Sequence, residues 1–200
     1  HRALALRMAQ DSIVLLKNAG GFLPLDKDLE TIAVVGPNAD DDVVLLANYN
    51  GTPSRSVTPL AGIRDAVDAA TKVRYAKGCE IRSDDTSGFD EAVAVAEQAD
   101  VVVAVMGLSQ MIEGEEGQRE GVAGGERSTG DRSDLVLPGV QDALLQALEA
   151  TGTPMVVVLL NGSAVAVNWA YEHAEAIVEV WYPGEEGGTA IADVLFGDVN

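Results

Sequence analysis

Carboxylates dominate the chemically capable side chains of this sequence, and they concentrate between Ile112 and Asp134. Glu113, Glu115, Glu116, Glu120, Glu126, Asp131 and Asp134 share that stretch with several glycines. Glutamates crowded on a Gly-rich loop suit general acid/base work, because neighbouring negative charges push the pKa of at least one toward the working pH. Cleavage of a glycosidic bond uses that chemistry. One carboxylic acid protonates the leaving oxygen, and a carboxylate across the anomeric carbon, about 5 Å away in retaining enzymes, completes the pair. A solvated acidic loop without a role is the plain alternative at this point. A hard cation held by carboxylates is another, although the loop lacks the DxDxDG pattern of a calcium loop.

Other chemistries fit less well. A P-loop needs GxxxxGK[ST] and a dinucleotide fold needs GxGxxG on its first strand-helix turn; Gly36-Pro-Asn-Ala-Asp40 is neither. Asn161-Gly-Ser163 lacks the GxSxG elbow, and neither His1 nor His173 has an evident serine partner. His173 reads instead as a polar position at a helix end. The run Asn38 to Asp42 reads as a helix N-cap before Val43 to Ala47, with a ligand or ion loop as the alternative. Asn48-Tyr-Asn-Gly51 is a plain turn or the lining of a polar pocket. Cys79 is the sole cysteine, so neither an intrachain disulfide nor a thiolate metal cage can form. The formal charge of −19, from 32 acidic against 13 basic residues, opposes docking on nucleic acid or anionic lipid. No apolar run reaches the ~18 residues of a membrane span.

The elements that must position the loop follow from hydrophobic pattern. The 200 residues, 47% hydrophobic with few aromatics, suit one α/β domain with a core of Val, Ala and Leu. Thr31 to Gly36, Lys72 to Ala76, Val101 to Met106, Met155 to Leu160 and Ala176 to Trp181 read as strands. The spacing predicts helices over Arg2 to Lys17, Leu60 to Ala70, Gly88 to Ala99, Val140 to Leu148 with Pro138 in its first turn, Ala164 to Tyr171, and Thr189 to Phe196. Strands alternating with helices at short spacing predict a three-layer α/β/α sandwich around a mostly parallel sheet of five to six strands. The acidic loop follows the most apolar of them, at its C-terminal end. Trp181 reads as core, and Glu185 and Glu186 as a helix N-terminus. The opening at His1 and the ending at Asn200 suggest a piece of a longer protein.

Five motifs in order then give a resemblance across essentially the whole chain. They are Ser12-Ile-Val-Leu-Leu-Lys-Asn18 with Leu23-Pro-Leu25; Ile32-Ala-Val-Val-Gly-Pro-Asn-Ala39; Gly107-Leu-Ser109 with Glu113-Gly-Glu115; Gly130-Asp-Arg132 with Leu137-Pro138; and Trp181-Tyr-Pro-Gly-Glu-Glu-Gly-Gly188 with Ala192-Asp-Val-Leu-Phe-Gly-Asp198. With these the chain resembles the C-terminal α/β sandwich domain of glycoside hydrolase family 3. The resemblance implies a single domain over residues 1–200, without a cofactor or metal. Its partner would be a preceding (β/α)8 barrel of the same polypeptide that supplies an aspartate nucleophile. It also implies that the loop supplies the acid/base glutamate for hydrolysis of a terminal β-glucoside or β-xyloside, at Glu113, Glu115 or Glu116. Glu120 and Glu126 are further positions in the same stretch, and Asp131 with Arg132 would scaffold the loop end. Trp181, Tyr182 and Glu185 have a second reading as interface to the barrel. A non-catalytic carbohydrate-binding or interdomain scaffold domain, and a divalent-cation module, are the rival functions.

Overall fold

The computed structural model describes residues 1–113, 132 and 134–200. In chain order the elements begin with helix α1 (Arg2–Ser12) and strands β1 (Val14–Asn18) and β2 (Thr31–Val35). Next come α2 (Pro59–Ala66), β3 (Lys72–Ala76), α3 (Phe89–Ala96) and β4 (Val101–Gly107). The chain continues with α4 (Gln141–Glu149), β5 (Met155–Leu160), α5 (Asn168–His173), β6 (Ala176–Glu179) and α6 (Gly187–Leu195).

The β-branched runs form the middle of a six-stranded sheet in the order β1-β6-β5-β4-β2-β3. β2, β4, β5 and β6 are buried along their whole length, as expected of parallel strands covered on both faces. Period-two alternation divides their side chains between two cores. Val34, Val103, Val105 and Val158 face the layer closed by α2 and α6, through Leu60, Ile63, Ile191 and Leu195. Val35, Val102, Ala104 and Val157 face α3, α4 and α5, through Ala92, Leu144, Leu145 and Ala170. Full burial of a side chain the size of Leu144 stabilises by about 1.5–3 kcal/mol, so this alternation selects the register. The expected three-layer sandwich with a mostly parallel sheet is therefore the observed one.

Several expected boundaries moved, each for a local reason. The opening helix stops at Ser12, because Ile13 is extended (ψ 136°) and the β-branched and leucine run after it pairs antiparallel with β6, Val14 opposite Glu179. Long-range pairing outweighs the helical periodicity of that segment. The helix expected over Val43 to Ala47 is a single 3-10 turn at Val43–Leu45, where the Asp41 side chain accepts from Val43 N at 2.8 Å, and α2 ends four residues early at Ala66. Pro138 is not in the first turn of α4: Gly139 follows it at φ 60°, with Ser83 main chain where a Cβ would stand, and the helix begins two residues later. Ala166 is taken up by a bridge to Val136, so α5 starts at Asn168. The strand expected to reach Trp181 ends at Glu179.

The parallel strands reverse direction of succession between β2 and β4, since the chain moves outward from β2 to β3 and then crosses back to β4. In open α/β sheets the crevice beyond the carboxyl ends of strands at such a reversal is where ligands sit. The acidic loop leaves β4 there.

Candidate functional site

The root of the loop is held by groups that fix where it departs. Gly107 ends β4 at φ 142°, and a Cβ there would lie 2.0 Å from Leu160 O, so only glycine fits. The side chain of Gln141, fully buried at the start of α4, completes the strand end as a neighbouring strand would. It accepts from Gly107 N (2.8 Å) and donates to Gly107 O (2.8 Å) and Ile81 O (2.9 Å). Asn38, also buried, donates from Nδ2 to Leu108 O at 2.8 Å. The chain then turns, with Ile112 N and Glu113 N donating to Ser109 O at 3.0 and 3.2 Å.

Glu113 is where the neighbouring connections meet. Its Oε2 accepts from the Tyr182 hydroxyl, past the end of β6, and from Gly162 N at 2.8 Å, past the end of β5. Its main-chain oxygen accepts from Asn48 Nδ2 at 2.8 Å, in the connection between β2 and α2. Oε1 is shielded from solvent and has no hydrogen-bond partner among the described residues. A Cβ on Gly162 would stand 2.8 Å from the Tyr182 ring, so the glycine is what lets the phenol reach the carboxylate. Burial, with Glu113 adding to it, pushes the Tyr182 hydroxyl far upward, so it remains a donor at any working pH.

A second carboxyl lies beside this node. Glu179, buried at the end of β6, accepts from Trp181 N (3.1 Å) and Asn161 Nδ2 (3.3 Å). Burial raises its pKa, and the charge of Glu113 adds to the shift, against hydrogen bonds from Trp181, Asn161 and the Val180 main chain that favour the anion. An acid raised in the folded state holds its proton longer there than in the unfolded chain. The resulting stability is complete below the unfolded value of about 4.3 and is lost as pH rises through the folded value. Glu179→Gln removes that dependence. The difference in urea midpoint, variant minus wild type, is expected to move in the variant's favour as pH rises above about 4; a constant difference would contradict this assignment.

The far end of the loop is held by Arg132, which donates to Ala164 O (3.1 Å), Ser163 Oγ (3.4 Å) and Val136 O (2.6 Å). Among the described residues its carboxylate neighbour is Asp134 at 3.9 Å, and two of its three hydrogen bonds go to main-chain oxygens. Glu115, Glu116, Glu120, Glu126 and Asp131 lie outside the described residues. Of the three acid/base candidates, Glu113 alone has a described environment.

Remaining candidates resolve as follows. His173 ends α5, stacks on Trp169 with ring centroids 4.3 Å apart and lies 3.5 Å from Glu149. Cys79 is buried, and burial pushes its thiol up to about 11, which leaves it un-ionised and unreactive near neutrality. Trp181 is not core: it is 43% exposed, sits at φ 63° and donates from Nε1 to Ser12 O at 3.0 Å. That left-handed residue turns the chain so that Tyr182, rather than the indole, points back to the loop. Glu186 is the N-cap residue of α6, buried and bonded by Arg2 Nε at 2.7 Å, while Glu185 accepts from Ser54 N at 3.2 Å. Asp40 accepts from Thr58 Oγ1 at 2.8 Å, a contact that braces the N-cap of α2. No group of three His, Cys, Asp or Glu side chains positioned for a metal occurs among the described residues. Gln141, Gly162 and Asn48 went unmarked in the sequence as partners of the loop, since nothing in their local pattern points to β4.

Comparison with known proteins agrees with this architecture. A family profile, the glycosyl hydrolase family 3 C-terminal domain, matches residues 13–200. A β-xylosidase from Formosa agariphila is 41% identical over 207 residues, covering 100% of this chain and 27% of the relative. A periplasmic β-glucosidase from Salmonella typhimurium is 41% identical over 222 residues, with the same coverages of 100% and 27%. Among solved structures, a β-glucosidase from Erythrobacter marinus superposes with a TM-score of 0.84 at 38% identity, over 100% of this chain and 28% of that one. A β-glucosidase from Bifidobacterium adolescentis superposes with a TM-score of 0.82 at 34% identity, over 100% and 27%. The chain thus spans about a quarter of the length of the curated relatives it matches. With that profile over residues 13–200 and these relatives, the chain belongs to the glycosyl hydrolase family 3 C-terminal domain family.

Proposed function

We propose that this chain, as one domain over residues 1–200, is the acid/base-supplying part of a longer retaining exo-β-glycosidase. Its substrates are terminal β-glucosides or β-xylosides, the activities named for its relatives. One of Glu113, Glu115 and Glu116 protonates the leaving oxygen and later takes a proton from water, while a (β/α)8 barrel of the same polypeptide supplies the aspartate nucleophile. The observation that carries the reading is the convergence of the connections after β5 and β6 on a glutamate just past the end of β4, at the carboxyl edge of the sheet. Fixing the loop's root in this way limits the arc over which the next few residues can place a carboxyl, which is what proton transfer to a bound oxygen demands. A net charge of −19 also favours a neutral sugar over an anionic substrate. The test is to replace the three glutamates singly by alanine in the longer polypeptide and measure turnover of glycosides with good and poor leaving groups. Unchanged turnover in all three variants would overturn the proposal.

A further inference from the structure

We infer that Gln141 is a positioning residue for proton transfer, its carboxamide fastening the end of β4 to the start of α4 and so fixing where both ends of the acidic loop stand. The inference rests on the acid/base reading above. It goes further by giving a part in that reaction to a side chain outside the loop, whichever of Glu113, Glu115 and Glu116 carries the proton.

β2 stops too early to hold the end of β4. Its parallel register reaches Val35 opposite Ala104, whereas β5 accompanies β4 as far as Gly107, opposite Leu160. On the side where β2 is missing, the Gln141 amide takes its place: Oε1 accepts from Gly107 N and Nε2 donates to Gly107 O, each at 2.8 Å. A carboxamide presents one acceptor and one donor side by side, the complement of what one strand residue offers. The same Nε2 also donates to Ile81 O at 2.9 Å, and Val140 N donates to Ser83 O at 3.1 Å, so the start of α4 is tied to the connection after β3. Gly107 and Gln141 are 34 positions apart, with the acidic stretch between them. Packing alone does not call for glutamine there. Leu144, Leu145 and Leu148 of the same helix fill the core, and an apolar side chain would avoid the cost of burying an amide. Among the described residues the buried amides of Asn38, Gln110 and Asn161 each leave an oxygen without a partner, whereas Gln141 uses both ends of its own. What the amide supplies is direction. A Gly107 peptide free to tilt would swing the residues that follow it, and a misplacement of ~1 Å at a reacting group costs about 10²-fold in rate.

Gln141→Met in the longer polypeptide keeps the length of the side chain and removes all three hydrogen bonds. For glycosides with alkyl or sugar leaving groups kcat/KM is expected to fall by about 10²-fold, while activated aryl glycosides, which leave without a proton, keep theirs. Added to whichever glutamate-to-alanine variant carries the same signature, Gln141→Met causes no further loss on the poor leaving groups, because both act on one step. Gln141→Glu keeps the shape and decides the matter should the first variant not fold. The introduced carboxyl accepts from Gly107 N at any pH but donates to a carbonyl only while protonated, the form that burial favours. Turnover of poor leaving groups is then closest to wild type in acid and falls as the new carboxyl ionises, at lower pH than the alkaline limb of the wild type. Activated aryl glycosides lack the displaced limb. Equal losses on both substrate types, which a mere folding defect gives, would overturn the inference, as would an unshifted alkaline limb or losses that add in the combined variant. If one glutamate variant shows the leaving-group signature and neither Gln141 variant does, the inference falls and the proposed function stands. Silence in all three glutamate variants removes both.

Discussion

Alanine at the acid/base glutamate is expected to lower kcat/KM for a glycoside with a poor leaving group by about 10²–10⁴-fold, the usual range for a positioned proton donor. For an activated aryl glycoside kcat/KM should hardly change, because a phenolate that leaves unaided needs no proton. The second half of the reaction then limits turnover, since the missing base no longer draws a proton from water, so kcat falls and KM falls with it as the glycosyl intermediate accumulates. Azide needs no deprotonation and fits the space left by the carboxylate. It should restore kcat for the activated substrate and yield the glycosyl azide with retained configuration. Among Glu113, Glu115 and Glu116, one variant should show this full signature. A uniform small loss on all substrates would instead mark a residue that only shapes the loop. Of the three, Glu113 is the one whose surroundings are described: its main-chain N and O and its Oε2 are hydrogen-bonded.

The largest effect on stability is expected at Gly188. Helices α2 and α6 touch backbone to backbone: a Cβ on Gly188 would lie 1.9 Å from Thr58 O and 2.6 Å from Val57 O, and one on Gly62 would lie 2.0 Å from Gly188 O. These are main-chain atoms and cannot rotate out of the way. They are also pinned, since Gly188 N donates to Val57 O at 2.8 Å and Thr58 caps α2 by accepting from Ala61 N at 3.2 Å. One methyl group must therefore separate the helices and open the layer around Leu60, Ile63 and Ile191. Gly188→Ala is expected to cost more than about 4 kcal/mol, at the extreme of single substitutions. Gly51→Ala is the control. It meets nothing within 4 Å and should stay within about 0.5 kcal/mol of wild type. Urea unfolding of the two variants beside wild type decides it, and a Gly188→Ala midpoint close to wild type would show that the helices can part cheaply.

How far the sequence speaks for the structure depends on the range of the contact involved. β4 and β5 are legible because their residues are buried without exception, so the chemistry of each residue alone states its environment. β1 is not, because its residues are partly exposed at a sheet edge and its apolar spacing runs on from α1 without a break. Trp181 misleads in the opposite direction: an indole suggests core, yet a positive φ turns it outward. For the candidate site, residue type alone points to the acidic loop, with Glu113 among its candidates. Its partners were hidden, because Gly162 lies 49 positions away in sequence and Tyr182 69, each on a different connection. Only the strand order β6-β5-β4 brings those connections to one edge, and strand order is set by three-dimensional packing that no local pattern encodes.

The edge strand has a consequence for how the chain is made. Among the described residues β1 pairs with β6 alone, and α1 packs on α6, so the main contacts of both elements lie in the last twenty-five residues. During synthesis at roughly 5–20 residues per second, this opening segment waits on the order of ten seconds or more after leaving the ribosome. Throughout that time Val14, Leu15 and Leu16 are without β6, and Leu4 and Met8 without α6. The central strands can assemble as they emerge, but the sheet cannot close its first edge until α6 is out. A nascent chain stalled before Ala176 therefore lacks the partners of both β1 and α1.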